Sequence, residues 1–237
     1  MTSWIKAGLF LVAGLAASPS LAGEKPVVLV ELFTSQGCSS CPPADALLAE
    51  LAQRDDVLPL ALHVDYWDYI GWKDRFARPE HTKRQKGYAH VAGAGTIYTP
   101  QMVVGGVDHV VGYKPMKIAD LMRKHEAALA SVDVVAVHDG SVMQIKCKAK
   151  AGANLPSEVY VDLVSYDPSE TVSIKHGENA GETISYANIV RDWRRLETWD
   201  GKGELVVDAM EPEEGLHMAL ILQEPGPGRV LAAYRID

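Results

Sequence analysis

The chain has 237 residues, with 23 Lys and Arg against 31 Asp and Glu, a net charge of −8 at neutral pH. An acidic chain with scattered basic residues offers no electrostatic footprint for nucleic acid and no polybasic stripe for anionic lipid. The length suits one large domain or two small ones.

The first segment has the pattern of a secretory signal peptide: Lys6, the apolar run Ala7 to Ala17, then Ser20-Leu21-Ala22 as a small-x-small cleavage site. The run is too short to span a bilayer, which takes about 20 apolar residues. Cleavage after Ala22 would remove Lys6 and no other charged side chain. Export to the periplasm or beyond follows, with no membrane insertion after cleavage.

Val27 to Phe33 reads as a buried strand, followed by the polar turn Thr34-Ser35-Gln36-Gly37 and then Cys38-Ser39-Ser40-Cys41-Pro42-Pro43. Leu47, Leu48 and Leu51 recur at helical spacing, and prolines are tolerated in a first helical turn, so a helix starts at the cysteines. Val57 to Val64 is the next buried strand. Asp65 to Lys86, rich in aromatics, reads as loop plus helix. Gln101–Val104 and Val107–Val111 flank Gly105-Gly106 as a hairpin, and Lys114 to Ala130 closes this half as a helix.

From Val132 the pattern is one of short strands. Val132–Val137 and Val142–Ala149 flank Asp139-Gly140; Glu158–Ser165, Thr171–His176, Glu204–Asp208, Leu216–Gln223 and Val230–Arg235 follow. His176-Gly177-Glu178-Asn179 reads as a turn, and Arg191, Arg194 and Arg195 with Asp192 and Glu197 as a solvated charged face. The expected organisation is a signal peptide over 1–22, an α/β domain over 23–131 and a smaller all-β, sandwich-like domain over 132–237.

The chemistry lies in the cysteines. Cys38 and Cys41 sit three apart and Cys147 is left over. A disulfide closing so small a loop removes little chain entropy, which leaves redox chemistry or metal binding as stronger reasons for the pair than stabilisation. At a helix N-terminus, unpaired N–H groups and the macrodipole favour a thiolate. Cys38 would then attack a substrate disulfide and Cys41 resolve the mixed disulfide. A metal-handling module for copper or zinc, completed by His63 or His109, is the alternative, since structural zinc needs four ligands. A binding domain with inert thiols is another. Cys147 alternates with Lys146 and Lys148 and shares a face with Met143, Ile145 and Ala149, as a core thiol does.

The order of strand, Cys38-Ser39-Ser40-Cys41-Pro42, helix, strand, Thr99-Pro100, hairpin and helix resembles the thioredoxin superfamily. That resemblance implies a cis-proline at Pro100 facing the cysteines, with Thr99 offering backbone hydrogen bonds to a bound peptide. Glu31 to Asp45, His63 to Asp68 and Gly177 to Gly181 are similar to the DUF1223 family of secreted, thioredoxin-like proteins of undefined function. Gln36-Gly37 stands where thioredoxins carry a tryptophan, and Ser39-Ser40 replaces the usual interior pair. These departures imply a narrower substrate than general disulfide reduction.

The sequence thus predicts an α/β thioredoxin-like domain followed by a β-rich one, acting as a thiol–disulfide oxidoreductase on protein or small-molecule thiols and disulfides. Cys38 and Cys41 are the candidate catalytic residues and Thr99 and Pro100 the candidate substrate-binding ones. No cofactor is needed, because a partner's thiols supply the electrons. Tyr66, Trp67, Tyr69 and Trp72 form either a lid over Cys38 or packing between the halves.

Overall fold

The computed structural model describes residues 25–236; the signal peptide expected over 1–22 lies outside them. Strands β1 (Val28–Thr34) and β2 (Val57–His63) run parallel and are buried along their whole length. A strand covered on both faces reads as an unbroken apolar run, as both do. Helix α1 (Pro42–Leu51) connects them, with Cys41 as its N-cap and prolines at its first two positions. Its Leu47, Leu48 and Leu51 pack on Val28, Val30 and Leu32. The hairpin β3 (Gln101–Val104) and β4 (Asp108–Val111) adds antiparallel to the other side of β1. Helix α2 (Pro79–Val91) precedes that hairpin and α3 (Pro115–Glu126) follows it.

The second half begins with β5 (Val132–Asp139) and β6 (Val142–Ala149), which pair with β9 (Glu204–Met210) in a three-stranded sheet. Between them run β7 (Val159–Ser173) and β8 (Thr183–Trp199), a long antiparallel hairpin. Strands β10 (His217–Gln223) and β11 (Val230–Arg235) complete the chain.

The expected thioredoxin-like α/β domain with a smaller β domain behind it is overturned by the sheet. Of the described residues 43% are strand and 18% helix. Strands from both halves form one eight-stranded mixed sheet, ordered β11-β10-β7-β8-β2-β1-β3-β4. The join is parallel, between Ala61 of β2 and Ile189 of β8. The physical reason is the length of β7 and β8. Thr183 to Trp199 carries too many charges to read as a strand by itself. Cross-strand partners make those charges tolerable: Arg195 pairs with Asp162, and Arg191 reaches Asp167 at 2.8 Å and Glu170 at 2.6 Å.

The sheet then rolls. The Val27 N–H donates to Ala233 O at 2.8 Å, so β11 at one end meets the chain entering β1. Leu29, Phe33, Leu58, Leu60, Val164, Val190, Ile221 and Ala233 fill the interior, with Tyr88 of α2 inserted among them. Glu31 faces the same interior and is fully buried. Arg84 holds it at 2.5 Å, and the Tyr88 hydroxyl donates to it at 2.5 Å.

Cys147 lies in a separate core, where β5, β6 and β9 cover the outer face of β7, β10 and β11. It is free and buried, and burial pushes its thiol up to about 12, which keeps it protonated and inert. Among the described residues no helix is long and apolar enough to cross a membrane.

Candidate functional site

Cys38 and Cys41 are disulfide-bonded, their Cα atoms 5.4 Å apart. The pair lies where β1 ends and α1 begins, so the strand fixes the approach and the helix fixes the exit. Cys41 caps the helix, and both cysteines have no solvent exposure. The sulfurs are covered, while Ser39 and Ser40 between them are exposed. Ser40 Oγ lies 3.6 Å from Cys38 Sγ, within sulfur hydrogen-bonding range.

The helix opening is poorer in donors than a first turn usually is. Pro42 and Pro43 have no N–H, and the Ala44 and Asp45 amides donate back to Cys41 O. A thiolate at Cys38 would draw on the helix partial charge and on Ser40, rather than on a ring of amides.

Two segments cover the pair. The first is the aromatic stretch after β2, containing a short 3-10 turn at Asp68–Ile70. A Cβ on Gly37 would meet Ile70 Cδ1 at 3.0 Å and Trp67 Cβ at 3.3 Å, so this segment rests on the backbone just before Cys38. Trp67 Nε1 donates to Thr99 Oγ1 at 2.7 Å, and its ring also packs against the rolled-sheet core. The Trp67 ring therefore takes up the packing alternative, in a core that both halves of the chain share. The Thr99–Pro100 peptide is cis and leads into β3, with the Thr99 hydroxyl held by Trp67.

The second cover is the tip of the β7–β8 hairpin. Asn179 Nδ2 donates to Gln36 O at 2.9 Å and to Cys38 O at 3.1 Å. Glu178 Oε2 accepts from Ser39 Oγ at 2.7 Å and from the Ser39 N–H at 3.3 Å. Sequence reasoning took this segment for an ordinary turn, because nothing local tells where the end of a long hairpin lands. One signal was present. The three stretches resembling DUF1223, around residues 31–45, 63–68 and 177–181, are the ones that meet at the disulfide.

Behind the pair lies a buried polar cluster. Asp45 accepts from Thr34 Oγ1 at 2.8 Å. His63 Nδ1 lies 2.7 Å from Asp74 Oδ2, which also accepts the Gln36 N–H at 2.8 Å. The His63 ring stands edge-on to Tyr186 at 4.9 Å. Burial pushes Asp45 up to about 7, against the opposing pull of His63 and the Thr34 hydrogen bond. Burial also acts to raise Asp74, but the His63 charge and the hydrogen bonds from His63, Gln36 and Phe76 outweigh it and hold that carboxyl low.

The Asp45 shift has a stability consequence. A carboxyl raised from 3.8 to about 7 on folding favours the folded state while protonated, and that contribution is lost as pH climbs through the interval. Asp45→Asn carries no such loss. The stability of the asparagine variant relative to wild type is expected to improve steadily over that pH range, by denaturant unfolding at each pH. A difference independent of pH would contradict the assignment.

Among the described residues no three of His, Cys, Asp and Glu are grouped as a metal ion would need. His63 is engaged by Asp74, and His109 faces Tyr88, with Gln101 beside it at 3.4 Å.

No curated protein matches the chain. The crystal structure of protein AGR_C_4864 from Agrobacterium tumefaciens is similar, at 33% identity and a TM-score of 0.77, covering 90% of this chain and 95% of that one. HBP35 of Porphyromonas gingivalis shares the fold alone, at 12% identity and a TM-score of 0.61, covering 90% of this chain and 75% of that one. A family model described as a protein of unknown function, DUF1223, matches residues 29–223, and the chain belongs to that family.

Proposed function

We propose that the chain is a thiol–disulfide oxidoreductase of an oxidising compartment outside the cytoplasm. Cys38 is the sulfur exchanged with the substrate and Cys41 the resolving thiol. The single observation that carries this is the Cys38–Cys41 disulfide at the opening of α1. A bond closing so short a loop adds little chain-entropy stability, so its chemistry is the better reason for it. Cys38 takes the outer role because Ser40 Oγ is in reach of its sulfur, whereas Cys41 is built into the helix. Thr99 and Pro100 are proposed to shape the substrate groove, with Trp67 as its wall.

The test is equilibration of the full chain in glutathione buffers with alkylation trapping. Wild type is expected to interconvert between disulfide and dithiol, and Cys41→Ser to accumulate a glutathione adduct on Cys38 alone. Thiols that never cycle in any buffer would leave a noncatalytic binding domain. An adduct found on Cys41 in the Cys38→Ser variant but never on Cys38 would reverse the two roles.

A further inference from the structure

A cavity of about 600 Å³, the size of a small-molecule site, opens between α2, the base of the β7–β8 hairpin and the loop joining β10 to β11. A register shift builds its β wall. Val161 faces Glu197 but Asp162 faces Arg195, so Leu196 is the extra residue of a bulge, and Asp162 and Arg195 come to stand opposite each other. Gly87 of α2 lets the loop close the rim, because a Cβ there would meet Pro227 Cδ at 2.6 Å.

Two guanidinium groups are stacked flat in the walls. Arg84 lies 3.7 Å from the Trp193 ring centroid and Arg195 lies 3.2 Å from that of Tyr160. Stacking fixes the plane of each group before any ligand arrives. The acids beside them are used up. Asp162 takes the Arg195 Nε–H on one oxygen and, at 3.1 Å, the Trp193 Nε1–H on the other. Glu31 takes Arg84 Nε and Nη2. The cations still have donors to give. Among the described residues, Arg84 Nη1, both terminal nitrogens of Arg195 and Lys83 Nζ make no hydrogen bond. Arg84 is mostly buried, yet its Nη1 is not among the atoms sealed from solvent without a partner, so it opens on the cavity its residue lines. The remaining acid, Glu80, is exposed at the rim. His81 adds one acceptor. Its Nδ1 donates to His63 O, which leaves Nε2 with a lone pair, and burial pulls the imidazole down to about 4, so it stays neutral.

We propose that this cavity binds a small organic acid, with its carboxylate held by Arg84 Nη1, Arg195 and Lys83 and its apolar body beside Tyr160, Trp193 and Pro227. The free Nη1–Nη2 edge of Arg195 matches the two oxygens of a carboxylate, which a guanidinium binds through parallel hydrogen bonds. His81 Nε2 accepts from a hydroxyl or an amide N–H on the same ligand. The site needs nothing from the redox reading of the cysteines, and no hydrogen bond among the described residues joins its wall to either of them.

The probe is hippurate, an aromatic acid with one amide N–H, titrated into the full chain by calorimetry at low salt, where charge contacts are least screened. Its uncharged amide is the control. Hippurate is expected to bind with a dissociation constant of about 1 mM or tighter, and the amide about tenfold more weakly or worse. Arg195→Gln is expected to weaken hippurate by about tenfold or more, as the loss of charge-assisted hydrogen bonds does. Two exposed positions on α2 carry the test should that variant fail to fold: Lys83→Gln is expected to weaken binding and Glu80→Gln to tighten it. Lys148→Gln, on the outer face of β6 and away from the cavity, is expected to match wild type. Absence of hippurate binding, equal binding of the amide, or an equal effect of Lys83→Gln and Lys148→Gln overturns the proposal. Displacement of hippurate by an equal concentration of sulfate overturns the choice of an organic acid.

Discussion

Arg84→Met is expected to lower the unfolding free energy by about 3–5 kcal/mol, the cost of leaving a buried charge without its partner. Glu31 points into the rolled sheet with no solvent exposure, and Arg84 is its counter-charge, through Nε at 2.5 Å and Nη2 at 3.1 Å. The guanidinium lies 3.7 Å from the Trp193 ring centroid and also donates to Gln223, so both its charge and its faces are used. Methionine retains the apolar stem and none of these contacts. Denaturant unfolding of wild type and variant measures the loss. The double variant Glu31→Leu with Arg84→Met is expected to regain much of it, because two apolar side chains remove the stranded carboxylate. A loss below about 1 kcal/mol in the single variant would show that water or another cation reaches Glu31.

Asn179→Ala is expected to open the Cys38–Cys41 disulfide to reductant. The Asn179 amide serves Gln36 O and Cys38 O, both buried, and removing it costs about 1–3 kcal/mol in the contact holding the β7–β8 tip on the cysteine loop. Attack on Cys38 requires that tip to lift, because neither sulfur is exposed. A local opening made easier by that amount raises the rate of disulfide reduction by about ten- to a hundredfold. Global stability would fall less than the local contact, since the tip lies far along the hairpin from the cores under β5 and β6. Glu178→Gln is the milder companion, keeping the shape while weakening the bond to Ser39. Thiol trapping against time at fixed dithiothreitol is the measurement. An unchanged rate in Asn179→Ala would mean that reductant reaches Cys38 by another route, past Trp67 and Ile70.

The burial of both sulfurs ties these results together. The fold closes its cysteine loop with a side chain from the opposite half of the chain. Access to the disulfide is thereby coupled to how firmly β7 and β8 are seated.

The sequence by itself determined most of the local elements and the closely spaced cysteine pair. Unbroken apolar runs marked β1 and β2, glycines marked the β3–β4 turn, leucine spacing and two prolines marked α1, and alternation put Cys147 in a core. Such signals are local because dihedral preference and side-chain periodicity act over a few residues. Only the tertiary structure decided which strands neighbour one another. β8 joins β2 by a parallel pairing at Ala61 and Ile189 that no local pattern announces. The charged run in β8 becomes strand only because Asp162, Asp167 and Glu170 stand across from it. Asp45 looks like an ordinary acid in a first helical turn until Thr34, His63 and Tyr186 enclose it. Partner choice over such distances depends on burial summed over the whole sheet, which is why a reading that took the two halves separately identified most elements but missed β8 and the fold.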